Sequence, residues 1–308
     1  MTAGEWGAAG ERGTAGERGT AGVGGTSPGR GAAEVLEIAR ATKGFMPDQE
    51  GLALARLAAL VDRSGRIRGT EAHGGPDCGE DDGGEDDGGG PRGRGPVVIE
   101  IGAYCGRSTL YLAAGLLAAA SPAPEGGAEG AAARSEPEED ETGDAPADEA
   151  GSRPPRTIVF SVDHHHGSEE NQAGWEHHDP SLVDPATGRM DTLPHWRAAI
   201  ERAAVGDLVV AVVGDSPTVA SRWSTPAAVV FIDGGHGEKV AWADYWGWAP
   251  VVGGGGYLAI HDVFPDPAEG GRPPYELYCR AISSGAFIEQ PDLGCGSLRV
   301  LKRIGPGA

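Results

Sequence analysis

Cysteine is scarce and scattered in this 308-residue chain. Its four cysteines (Cys78, Cys105, Cys279, Cys295) show no C-x-x-C spacing, so neither a zinc framework nor a disulfide scaffold is indicated. Basic charge is also in short supply, with 25 Lys and Arg against 46 Asp and Glu for a formal net charge of −21. Non-specific nucleic-acid binding needs a basic stripe, and none is present. There is no run of about twenty apolar residues that could span a bilayer, and no basic start followed by an apolar core that would read as a secretory signal. The expectation is a soluble, cytoplasmic protein with no membrane or nucleic-acid partner.

The acidity is concentrated. Residues 76–95 carry seven acids against two arginines, and residues 121–155 carry ten against two. Neither segment has hydrophobic periodicity, so both read as solvated insertions, bounded near 64–95 and 121–155. Residues 1–31 are glycine-rich and repetitive, with Gly-Glu-Arg-Gly-Thr-Ala at 10–15 and again at 16–21, and they read as a disordered low-complexity tail. One domain over 32–308 is expected.

The organising stretch is Val97-Val98-Ile99-Glu100-Ile101-Gly102-Ala103-Tyr104-Cys105-Gly106-Arg107-Ser108. An apolar run, a glycine-bounded turn and an alanine-rich helical segment at about 107–120 form a strand, a tight turn and a helix start. Glycine lets a ligand approach such a turn closely, and the helix start offers free N–H groups. A dinucleotide fingerprint needs a middle glycine; here Tyr104 stands in its place. Glu100 would repel a pyrophosphate and suits a ligand that is cationic at an ammonium and a sulfonium.

Upstream, residues 32–63 read as two helices, the first with Val35, Leu36, Ile38 and Ala39 on its apolar face. Gly44 breaks the pair, and Pro47 opens the second helix. Downstream, Thr157 to Asp163 is a β-rich run ending in an acid. After the insertion is subtracted, about 26 positions separate Gly102 from Asp163, near the spacing of an acid that accepts from ribose hydroxyls. A histidine-rich stretch follows from His164 to Asp179. It reads as a substrate-contacting loop, with a solvated surface loop and an imidazole metal site as alternatives.

A helix is expected over Thr192–Ala204. Leu208–Val213 reads as a strand buried on both faces, ending in Gly214-Asp215-Ser216. Ala227–Asp233 is the next strand, followed by Gly234-Gly235-His236 and a helix containing Val240, Trp242, Tyr245 and Trp248. Gly253–Gly256 reads as a turn before the strand Tyr257–Val263, which carries His261 and Asp262 at its tip. Tyr275–Ser284 is helical, and 286–289 with 297–302 form a closing antiparallel pair. Strand-tip acids in register with this rhythm converge at the switch point of an open parallel sheet.

The order Glu-Ile-Gly…Gly, Val-Asp, Gly-Asp-Ser, Phe-Ile-Asp-Gly-Gly-His and Ala-Ile-His-Asp, over residues 97–262, resembles the class I S-adenosylmethionine-dependent methyltransferases, in particular the small-molecule O-methyltransferase branch. The resemblance implies a Rossmann-like, doubly wound, mostly parallel seven-stranded sheet with an antiparallel C-terminal strand. It implies a cofactor site made of Glu100, Gly102, Ala103, Tyr104, Gly106, Ser108, Asp163, His164, Gly214, Asp215, Ser216 and Asp233. Within that set Asp215 would accept from the exocyclic amine of adenine. It further implies catalytic roles for Asp233 and for His236 as general base, and a divalent cation such as Mg2+ on Asp233, His261 and Asp262.

The departure is His261, where aspartate is the more usual magnesium ligand, which leaves a softer ion or a metal-free histidine mechanism open. The expected reaction is methylation of a hydroxyl on a small-molecule substrate, and a homodimer is compatible with it. The alternatives are a non-methylating, hydroxylase-like metal enzyme on the same scaffold and a nucleotide-binding protein without catalysis. A nicotinamide-dependent oxidoreductase is disfavoured by Tyr104 and Glu100.

Overall fold

Runs rich in β-branched residues form the centre of the sheet in the computed structural model, which describes residues 30–64, 95–120 and 157–307. The tail at 1–31 and both acidic insertions thus fall almost entirely outside the described residues. Strand β1 (Val97–Ile101) pairs in parallel with β2 (Ile158–Asp163) on one side and with β6 (Ala227–Ile232) on the other. Strand β5 (Val209–Val213) extends the β2 side, and β7 (Val252–Ile260) extends the β6 side. Two antiparallel strands, β9 (Arg299–Arg303) and then β8 (Phe287–Glu289), finish the sheet, giving the order β5-β2-β1-β6-β7-β9-β8. The chain winds outward from β1 in one direction and from β6 in the other, so the ligand crevice lies above the β1/β6 boundary.

Helices cover both faces. On one side α1 (Ala32–Ala41), α2 (Asp48–Ser64), α3 (Arg107–Ala120) and α4 (Leu193–Ala203) share a core in which Leu54, Leu57, Leu110, Leu112 and Leu116 are fully buried. Each such side chain contributes about 1.5–3 kcal/mol on burial. On the other side α5 (Ser216–Ala220), α6 (Glu238–Trp248) and α7 (Arg272–Ser283) pack around Tyr245, Trp248 and Leu277. Helix α7 starts three residues before Tyr275 because Pro273 and Pro274 sit in its first turn, where no backbone N–H is required. Among the described residues, no helix is long and apolar enough to cross a membrane.

Three features correct the sequence reading. Strand β5 is the edge of the sheet rather than an interior strand, and Val210 and Val213 are 41% and 56% exposed. Gly253–Gly256 is no turn: it is the first half of β7, where the β6 register shifts between Ala227 and Val229 and Gly255 takes φ +78°. A small hairpin, β3 (Val183–Asp184) with β4 (Arg189–Met190), stands between the histidine-rich stretch and α4.

Glu100 is the polar exception inside the sheet. It is fully buried, and its Oε2 accepts from the Thr109 hydroxyl at 2.6 Å and the Ser161 hydroxyl at 2.7 Å, while Oε1 has no partner. Burial pushes its carboxyl from the ordinary 4.5 up to about 7. The folded state therefore binds more protons than the unfolded state across that window, so stability falls as pH rises through it. In urea denaturation, the parent is expected to lose about 2–3 kcal/mol between pH 5 and pH 8 that Glu100→Gln retains. Equal pH dependence of the two proteins would contradict a buried proton on Glu100.

Candidate active site

The strand tips are levelled by backbone bonds that continue past the strands. Gly102 N donates to Val162 O, Asp233 N to Ile101 O, His261 N to Ile232 O and Gly214 N to Asp163 O, at 2.9–3.1 Å. They form the floor of a cleft of about 940 Å3, within the usual range for ligand sites. Gly102, Ala103, Tyr104, Ser108, Asp163, His164, Gly214, Asp215, Ser216, Asp233, His236, His261 and Asp262 all line it.

Two expected cofactor contacts are not brought there. Glu100 points into the sheet, because a central strand covered on both faces leaves no residue facing the tip cleft until the strand ends. Gly106 closes the turn from below, with φ +93° and its N–H donated to Ala103 O at 2.8 Å.

The first turn is held by Asp163. Its Oδ2 accepts from Ala103 N at 2.8 Å and Tyr104 N at 2.9 Å, and its Oδ1 accepts from His165 N at 2.7 Å. One carboxylate thus fixes both the glycine turn and the start of the histidine-rich loop. Gly102 is required by close approach as well as by φ +86°: a Cβ there would lie 2.2 Å from Asp233 O. Tyr104 adopts φ +48°, a left-handed conformation that costs a non-glycine residue free energy.

The histidine-rich loop divides by function. His165 is buried on the Thr192 hydroxyl at 2.8 Å, His166 faces Met190 O at 3.1 Å, and His178 faces Asn171 O at 3.0 Å. These rings pin the loop and do not converge on a metal. His177 instead meets Phe45 at the cleft mouth in a tilted pair with ring centroids 4.9 Å apart, and the Phe45 ring also meets Tyr104.

At the other end of the cleft lies a network of imidazoles and carboxylates. His236 Nε2 stands 3.0 Å from Asp262 Oδ2, and its Nδ1 stands 3.4 Å from Glu170 Oε2. Burial disfavours the imidazolium, but the hydrogen bonds and charges of Asp262 and Glu170 outweigh it, raising His236 to about 10. Behind it, the buried His261 presents Nδ1 to Asp233 Oδ1 at 2.9 Å and to Asp262 Oδ2 at 3.2 Å. Its Nε2 meets Glu50 Oε2 at 2.5 Å. The other Glu50 oxygen accepts from Ser297 N at 2.6 Å and Ser297 Oγ at 3.1 Å. Burial opposes the charge on His261 too, yet the surrounding carboxylates hold it as a cation.

Glu50, Glu170 and Phe45 are absent from the sequence-based site. Glu50 carried a legible signal: with Ala53, Leu54 and Leu57 it falls at i, i+3, i+4 and i+7 on the buried stripe of α2. An acid in such a stripe requires a partner. Glu170 lies in a single 3-10 turn (Glu169–Asn171) and Phe45 in an irregular segment, both too short for periodicity to carry information.

A family model described as a methyltransferase domain matches residues 99–263. Among solved structures, a methyltransferase of Podospora anserina with SAH bound shares 12% identity, over 89% of this chain and 88% of that one, with a TM-score of 0.48. An O-methyltransferase of Bacillus cereus in complex with SAH shares 14% identity, over 89% and 90% of the two chains, with a TM-score of 0.44.

Asp163→Ala is expected to leave three backbone N–H groups without their acceptor and to destabilise the fold by about 2 kcal/mol. The check is a lowered denaturation midpoint with an unchanged denaturant slope. An unaltered midpoint would mean that the turn stands without Asp163.

Proposed function

Because the chain belongs to the class I S-adenosylmethionine-dependent methyltransferase family, we propose that it transfers a methyl group to a hydroxyl of a small-molecule acceptor. The observation that carries this reading is the shape of the cleft. A tight glycine turn and a strand-tip acid lie at one end, and a proton-handling imidazole backed by two carboxylates lies at the other.

In this reading the turn 102–106 receives the methionine portion of the cofactor, and Asp163 accepts from the ribose. The acceptor enters past Phe45, Tyr104 and His177, whose rings form the apolar side of the mouth. Methyl transfer is an in-line displacement. The acceptor oxygen forms a bond to the methyl carbon, the carbon–sulfur bond breaks, and its electron pair returns to sulfur to leave the neutral thioether. The chain's task is to align the two reactants and remove the hydroxyl proton. His236 is placed to exchange that proton at Nε2, the nitrogen that Asp262 holds, with Glu170 steadying Nδ1; the two carboxylates favour its imidazolium, so the ring accepts the hydroxyl proton only in the fraction that has given up its own.

The residues at the β6 and β7 tips fit a divalent cation. One donor atom each from Asp233, His261 and Asp262 lies within 4.8 Å of the others. Glu50 occupies Nε2 of His261, which leaves Nδ1 directed at the two carboxylates, the arrangement in which an outer carboxylate orients a ligating imidazole. An imidazole with two carboxylates suits a first-row transition ion better than magnesium. When bound, such a cation would take the place of the Nδ1 proton that the carboxylates otherwise keep on His261, and would lower the pKa of the acceptor hydroxyl.

Calorimetric titration tests both parts. S-adenosylmethionine and S-adenosylhomocysteine are expected to bind with micromolar affinity, NAD is expected not to bind, and Asp163→Ala should weaken the adenosyl ligands at least tenfold. NAD binding, or no adenosyl binding, would sink the cofactor assignment. Mn2+ should bind the parent more tightly than Mg2+ and should lose at least tenfold in affinity in Asp262→Asn. Full methyl transfer after exhaustive chelation would remove the cation from the mechanism.

A further inference from the structure

Two segments far apart in sequence meet over the first turn. The linker 42–47 joins α1 to α2, and a Cβ on its Gly44 would come 2.9 Å from Arg107 Cβ, so it lies directly on the start of α3. Phe45, the next residue, meets the Tyr104 ring with centroids 5.2 Å apart. From the other side comes the end of the histidine-rich loop, whose His177 meets the same Phe45 ring. Lys43 and Phe45 from the linker, and Glu176 and His177 from the loop, all line the cleft.

A polar clasp ties these two segments together. The Lys43 ammonium donates to Asp179 Oδ2, and to the Ser181 hydroxyl at 2.8 Å. Asp179 Oδ1 in turn accepts from Ser181 N at 2.9 Å and from Ser181 Oγ at 2.7 Å, which closes a ring of bonds among the three residues. The charges of both Lys43 and Asp179 reach the Cys105 thiol in the turn beneath.

The chemistry of the clasp suits a part that opens. Both partners of the ion pair are partly exposed, and such a pair contributes little to global stability and is weakened by salt. Helices α1 and α2 are held instead by apolar packing against α3, and the first turn is fixed from within by Asp163. Breaking the clasp therefore frees the linker and the loop while leaving the helices and the turn in place.

We propose that Lys43 is a positioning residue that straps the linker 42–47 to the histidine-rich loop over the first turn, so that the cofactor enters and leaves only when this strap opens. The inference rests on the S-adenosylmethionine reading, in which the methionine portion lies in the turn 102–106. It also brings the acceptor mouth under the same control, because Phe45 and His177 stand on the two strapped segments. A strap whose bonds do not touch the ligand slows entry and exit alike and leaves affinity nearly unchanged.

The test is surface plasmon resonance on the immobilised full chain, with S-adenosylhomocysteine as the probe. Lys43→Ala should raise both the association and the dissociation rate at least fivefold, change affinity less than threefold and leave the thermal unfolding midpoint in place. The exchanged pair, Lys43→Asp with Asp179→Lys, should return both rates to within about twofold of the parent, a rescue that a merely structural role for either residue would not give. Raising salt from about 50 mM to about 500 mM should speed both rates in the parent and leave those of Lys43→Ala unmoved, because the probe carries no net charge. If the parent's rates are indifferent to salt, the proposal is overturned without any variant while the cofactor assignment stands. If only dissociation quickens in Lys43→Ala and affinity falls in proportion, Lys43 touches the ligand directly and the strap is overturned. If the parent does not bind the probe, the cofactor assignment fails and the proposal fails with it.

Discussion

The cleft depends on four backbone hydrogen bonds that lie just beyond the strands. Gly102, Asp233, His261 and Gly214 each donate to the last carbonyl of the neighbouring strand or to the residue beside it. Side chains on five separate segments are thereby set at a common height, and loops alone would not hold them to that tolerance. A parallel sheet suits this purpose because its ladder is evenly spaced and every strand ends at the same edge. The chemistry of the site is thus inherited from the register of β1, β2, β5, β6 and β7.

That levelling creates an electrostatic problem. Asp163, Glu170, Asp233, Asp244 and Asp262 all line one cleft in a chain that is already strongly acidic, and Glu50 stands just behind it. The structure answers with two imidazoles and with backbone N–H groups. His261 is enclosed by Glu50, Asp233 and Asp262, and His236 bridges Asp262 and Glu170. Asp163 makes no ion pair among the described residues and takes three N–H groups instead. Removing either imidazole would leave half-buried or buried carboxylates facing one another, an arrangement that favours a proton on one of them.

These two facts explain which parts of the site were legible in the sequence. The β-rich runs and their terminal acids carried the strand order and most of the cleft, because a strand tip is located by counting. Glu100 was misread on the same logic. It lies one residue before the end of β1, inside a strand whose two faces are both covered, and it bonds to Thr109 and Ser161 rather than to a ligand. Burial at β5 was misjudged because an apolar run does not state whether another strand lies beyond it. Glu50 was visible as an acid on a buried helical stripe, but its role depends on a contact across 211 positions with His261. Periodicity shows that such a residue is anomalous; only tertiary structure shows what it faces.

Backbone strain marks the same places. Of the four described non-glycine residues with positive φ, Tyr104 lies in the first turn, His165 at the start of the histidine-rich loop and Asp262 at the β7 tip; the fourth, Ala204, ends α4. Tyr104 is held in that conformation by Asp163, and Asp262 by its contacts with His236 and His261. The left-handed turn at each of these positions turns the chain sharply at the cleft edge, which aims a side chain or an N–H into the cavity instead of along the strand. The conformational cost is met by the carboxylate and imidazole contacts that also compensate the charge, so strain and electrostatics in this site are two effects of one set of bonds.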